Sequence, residues 1–127
     1  MIDLRSDTVT KPTQEMLDFM IRAEVGDDVF AEDPTVSMFE KKVSEMFGME
    51  AGLFVPSGTM SNQLGVKVLT NPGDEILIDY KGHIFNYETG GAGFLSGVQI
   101  NPIHGDKGKL SPEDIKNSVR GGFDWEP

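Results

Sequence analysis

Apolar positions recur at helical spacing twice in the first half of the chain. Met16, Leu17, Met20 and Ile21 predict a helix over 13–23 with Thr13 as its cap. Phe39, Val43, Met46 and Phe47 predict a second over 37–47, with Ser37 and Glu40 as a capping box and Gly48 as its stop. The pattern then changes. The apolar run from Leu53 ends at Pro56-Ser-Gly-Thr59, and a helical pattern follows over 60–69, closed by Asn71-Pro-Gly-Asp74. Glu75 to Tyr80, with Ile76, Leu77 and Ile78 in a row, reads as a buried parallel strand. Gly97 to Ile103 reads as another strand, and Ser111-Pro-Glu-Asp114 opens a short helix with a cap, a proline at its first position and an acidic first turn. Strand, helix, strand, helical stretch, strand and helix make an α/β layout. Three strands are few for a sheet buried on both faces, so the chain is expected to be the front of a larger domain. The stretch Gly121-Gly-Phe-Asp-Trp-Glu-Pro127 comes where another strand is expected.

Charge and composition narrow the function. Eleven basic against twenty-one acidic residues give a net charge of −10, which repels nucleic acid and anionic lipid. Apolar runs are short and Met1 to Asp7 lacks a basic start and an apolar stretch, so neither export nor membrane spanning is expected and the reading is cytoplasmic. With no cysteine, disulfides and thiolate metal sites are excluded.

The chemistry concentrates at the Ser57-Gly-Thr59 turn. A small residue there admits an anion close to the backbone, and the first turn of the next helix offers unpaired N–H groups and a positive dipole end. A plain capped turn explains the same residues, and only their neighbours decide. His83 follows the strand 75–80, at the carboxyl end where ligands bind in open α/β sheets. Four carboxylates crowd Gly26 to Thr35, but Asp27, Asp28, Glu32 and Asp33 have no settled metal-ligand spacing and are expected to cap helices or face a neighbouring subunit. No metal site is expected.

Six ordered stretches resemble the low-specificity L-threonine aldolases: Arg5-Ser-Asp-Thr-Val-Thr10, Gly26-Asp-Asp-Val-Phe30, Glu32-Asp-Pro-Thr35, Pro56-Ser-Gly-Thr-Met-Ser-Asn62, His83, and Glu88-Thr-Gly-Gly91. The resemblance covers almost the whole chain, and about the first third of a family member. It implies the aspartate-aminotransferase fold, known as fold type I of the pyridoxal-phosphate enzymes. Residues 1–36 would be an N-terminal arm, helix and acidic loop, and 37–127 the incomplete cofactor-binding large domain with a parallel-rich sheet.

The activity implied is cleavage of L-threonine or L-allo-threonine to glycine and an aldehyde, with pyridoxal 5'-phosphate as cofactor. By the same resemblance Gly58 and Thr59 bind the phosphate, and Ser6 the substrate carboxylate. His83 stacks on the pyridine ring and is a candidate base for the β-hydroxyl, a task that suits imidazole, whose free form titrates near neutrality. Glu88 is a catalytic carboxylate that orders water or relays a proton. A surface glutamate is its bland alternative. A homo-oligomer, dimer or tetramer, is implied, with active sites between subunits. Phe30 stands where family members often carry tyrosine, so a hydroxyl is missing there. None of the eight lysines matches the family's catalytic lysine, so residues 1–127 alone are expected to be inactive. The alternatives are another pyridoxal-phosphate lyase or aminotransferase of the same fold, or a non-catalytic fragment.

Overall fold

The computed structural model describes residues 2–121; Met1 and the segment 122–127, where the sequence suggests an approach to another strand, lie outside them. The chain forms two compact units, Met1–Phe54 and Val55–Pro127.

In the first unit, a short 3-10 turn at Asp7–Val9 precedes helix α1 (Gln14–Arg22), which Thr13 caps by accepting from the Met16 amide. Helix α2 (Pro34–Phe47) starts three residues before the expected Ser37. Asp33 is the cap, accepting from the Val36 amide, and Pro34 takes the first helical position, where its missing N–H is no loss. Glu40 does not close a box on Ser37, because its carboxylate accepts instead from the Phe54 amide at 2.6 Å. Gly48 ends α2 at φ 65°, in the left-handed region, as the sequence indicates. Asp27 caps the 3-10 turn Asp28–Phe30, so two of the loop carboxylates are spent on local amides.

The second unit is an α/β arrangement on a small parallel sheet. Its elements are α3 (Gly58–Leu69), β1 (Glu75–Asp79), α4 (His83–Asn86), a single π-helical turn at Ala92–Ser96, β2 (Gln99–Ile103) and α5 (Pro112–Ser118). The two strands pair parallel, from Glu75 opposite Gln99 to Asp79 opposite Ile103. Side chains alternate across a strand, so Ile76 and Ile100 share a face. They pack there against Val66 of α3, Ala92 of the π turn, Val98 and Ile84, which together make the core. Asn101 lies on the opposite face and donates to Glu75 and to the Ser118 carbonyl of α5. Ser111 caps α5 as expected, and Asp114 reciprocates to close a capping box.

The segment Leu53–Pro56, expected as a strand, has no ladder among the described residues, and the sheet has two strands rather than three. A strand exists only through its neighbours' hydrogen bonds, and apolar content alone does not supply them. No helix among the described residues is long and apolar enough to cross a membrane.

Candidate functional site

Helix α3 begins with unpaired backbone donors. Ser57 caps it, its hydroxyl accepting from the Met60 amide at 3.1 Å. The amides of Gly58 and Thr59 precede the first intrahelical bond, and among the described residues neither has an acceptor. Nothing lies within 4 Å of where a Gly58 side chain would begin. Two free N–H donors, a hydroxyl that can still donate and a positive dipole end therefore face open space, and they can hold a dianion. The cap uses the Met60 amide and leaves those of Gly58 and Thr59 available, so the two readings are compatible.

One turn further along α3, about 4.5 Å at 1.5 Å per residue, a polar cluster is built on Glu88. The carboxylate is buried, at 4% exposure for the residue, which removes the surface alternative. Its Oε1 accepts from Asn62 Nδ2 at 2.6 Å and contacts His83 Nδ1 at 2.9 Å, while Oε2 accepts from Gln63 Nε2 at 2.7 Å. Burial pushes the Glu88 carboxyl up, but hydrogen bonds from Asn62, Gln63 and His83, with the imidazole's charge, outweigh it and leave the group below the ordinary glutamate range. An ionised carboxylate only accepts, so Nδ1 of His83 is the donor, and in the neutral form of the imidazole Nε2 is the nitrogen left bare. The His83 side chain is 61% exposed and stands at the first position of α4, with the Tyr87 ring 5.1 Å away at 41°.

The loop carrying Glu88 is tightly specified. Thr89 takes φ 48° and Gly90 φ 75°, which turn the chain sharply into the π-helical turn. A positive φ at a threonine is uncommon, and π turns gather at functional sites.

Gly58, Thr59, His83 and Glu88 thus belong to the second unit, and hydrogen bonds tie the last two to the helix that the first two open. Ser6 belongs to the first unit, where its hydroxyl caps the 3-10 turn by accepting from the Thr8 amide at 3.2 Å. Asn62 and Gln63 were not singled out from sequence. The available signal was Gln63 itself, an amide three residues before the core residue Val66 on the same helix face, which needs a partner once buried. A cavity of about 650 Å³ at the carboxyl end of β1 is lined by Asp79, Gly82 and Gly105 and holds none of these residues. A cleft of about 540 Å³ beside α3 reaches Ser57, Thr59 and Gln63. Hydrogen bonding, rather than cavity size, therefore marks the site. Among the described residues no group of three or more His, Asp or Glu side chains is arranged to hold a metal.

Fold and site agree with a cofactor enzyme of the α/β class. The beta-eliminating lyase family matches residues 3–125, and the chain belongs to that family. It is 45% identical over 121 residues to the probable low-specificity L-threonine aldolase 2 of Arabidopsis thaliana, covering 94% of this chain and 34% of that protein. It is 43% identical over 117 residues to the low specificity L-threonine aldolase of Saccharomyces cerevisiae, covering 91% of this chain and 30% of that protein. An alanine racemase of Cochliobolus carbonum is 43% identical over 117 residues, covering 90% of this chain and 30% of that protein. The chain spans about a third of the length of these relatives. Pyridoxal 5'-phosphate is the cofactor that this membership implies.

Proposed function

We propose that this chain is part of a pyridoxal-phosphate lyase of fold type I that cleaves L-threonine and L-allo-threonine to glycine and an aldehyde. The observation that carries the proposal is the pairing of an open, donor-rich helix end at Gly58 and Thr59 with a histidine held by a buried glutamate one turn away. The residues fit the cofactor: the two free amides and the Ser57 hydroxyl match a phosphate, and the exposed face of His83 offers room for a ring. When bound, pyridoxal phosphate supplies the electron sink for the charge left by breaking the Cα–Cβ bond.

This chain contributes part of what the reaction needs, the Schiff-base lysine not being among its residues. Gly58 and Thr59 would hold the phosphate, and His83 would lie against the ring. The bare Nε2 of His83 is the nitrogen available to the β-hydroxyl proton, while Glu88 holds Nδ1 and stabilises positive charge on the imidazole. Ser6 binds the substrate carboxylate. In this reading 1–36 form the arm, first helix and acidic loop, and 37–127 the front of the large domain, a division by role rather than by compactness. The working protein is a cytoplasmic homo-oligomer; the largely exposed Met16, Phe19, Met20 and Ile21 of α1 support a surface covered by another copy.

A second reading keeps the fold and the cofactor and changes the reaction. The printed name of the Cochliobolus carbonum relative favours racemisation, and the family's description favours β-elimination. Supplying the full-length protein with pyridoxal phosphate and, in separate assays, L-threonine, L-serine and L-alanine distinguishes them. Release of glycine with equimolar acetaldehyde supports the proposal. Ammonia from L-serine, or racemised alanine, without glycine from L-threonine overturns it.

A further inference from the structure

Two neighbouring amides on α3 grip the two oxygens of one buried carboxylate, Asn62 on Oε1 and Gln63 on Oε2. We infer that Asn62 and Gln63 are positioning residues: they clamp Glu88 in one orientation, so that Glu88 fixes a single tautomer of His83 with Nδ1 protonated and Nε2 free. The inference rests on the reading of the site given above.

Each link in this chain has a physical reason. A carboxylate bound by one donor can rotate about its last torsion. Held at both oxygens, it cannot rotate without breaking a bond inside a site where water does not replace it. Oε1 carries the Asn62 bond and the His83 contact together, so rotation would lose both. The amide orientations follow from the acceptor, since only their NH₂ groups can face an ionised oxygen.

Gln63 accepts a penalty for this. Its own Oε1 is turned away and stays buried without a hydrogen-bond partner among the described residues. A residue that served packing alone would not leave a buried amide oxygen unpaired, because an apolar side chain of similar shape would avoid the loss. Gly91 is part of the same arrangement. A methyl carbon there would lie 3.0 Å from Gln63 Nε2 and 3.1 Å from its Cδ, closer than ordinary contact, so the glycine leaves the amide room to reach Glu88.

Because the clamp sits on α3, one rigid helix sets both the amides for the phosphate and the orientation of the imidazole. The distance between the anion end and the working histidine is thereby fixed by helix geometry rather than by the loop that carries Glu88.

The test is the tautomer of His83 in the full-length holoenzyme, read from its imidazole nitrogen shifts after histidine labelling and assigned by difference against His83→Asn. The wild type should show one neutral tautomer, protonated at Nδ1. Gln63→Met keeps length and shape but removes the donor, and Asn62→Leu does the same on the other oxygen. Either variant should give a mixture of tautomers, with kcat lower by about tenfold to a hundredfold and KM nearly unchanged, the loss typical when a working histidine's outer partner is removed. Gly91→Ala, which leaves both amides in the sequence, should move the tautomer in the same direction. If these variants all keep the wild-type tautomer and kcat, the clamp is overturned. Should the tautomer respond while L-threonine is not cleaved, the clamp stands and the proposed reaction falls; cleavage with an unresponsive tautomer means the reverse.

Discussion

The two units of this chain are organised in opposite ways. In Met1–Phe54 the helix caps are local: Thr13, Asp27 and Asp33 each satisfy an amide two or three residues away, the longer bonds from Gly26 to Asp33 and from Phe54 to Glu40 span 7 and 14 residues, and the helices present large apolar side chains to the surface. In Val55–Pro127 the decisive contacts are long-range. The buried hydrophobics Val66, Ala92 and Val98 all lie there, and Glu88 is held from residues 25 and 26 positions earlier. Helix ends alone can shape a chain, but a chemically poised carboxylate requires elements far apart in sequence to agree.

That contrast can be tested by removing one group from each unit. Replacing Glu88 with Leu strips the partner from one buried amide, one half-buried amide and one imidazole, and should destabilise the full-length protein by about 3 kcal/mol in denaturant unfolding. Because the folded Glu88 carboxyl lies below its unfolded value, its contribution is complete above the unfolded value and is lost as pH falls through the folded one. The wild type should therefore lose stability steeply on the acid side, and the Glu88→Leu variant should lose less over the same range. The Asp33 carboxyl is also held low, first by the Val36 amide and then by that of Gly26, and it follows the same sign. Its replacement by Ala removes one cap and should cost about 1–2 kcal/mol, with the main loss of helix signal in α2. An Asp33→Ala effect larger than that of Glu88→Leu would reverse the ranking of long-range over local contacts.

The same contrast explains what could be read from the sequence. Thr13 and α1, Ser111 and α5, and both strands of the sheet followed from short patterns that act within a few residues. The start of α2 did not, because Asp33-Pro34 and Ser37 with Glu40 are both sound helix starts and a hydrogen bond from distant Phe54 takes Glu40. The Ser57-Gly-Thr59 end was legible as chemistry because a helix start carries its own donors. The place of His83 at the carboxyl end of β1 followed from the pattern, while its role and that of Glu88 came only through family resemblance. The burial of Glu88 and the part played by Asn62 and Gln63 depend on α3 meeting the 88–91 loop, which no local pattern encodes.

The claim that α3 opens onto the cofactor phosphate has a direct test in Gly58→Pro. Proline fits the first helical position, Ser57 already has the extended backbone that precedes it, at φ −151° and ψ 150°, and the space around Gly58 is open. The substitution thus removes one N–H and keeps the helix, while Gly58→Ala keeps both. The equilibrium dissociation constant of the full-length protein for pyridoxal phosphate should rise about tenfold or more in Gly58→Pro, as expected for one hydrogen bond to a charged group. It should stay near the wild-type value in Gly58→Ala. Equal affinity in all three proteins would contradict the assignment of this helix end to the phosphate.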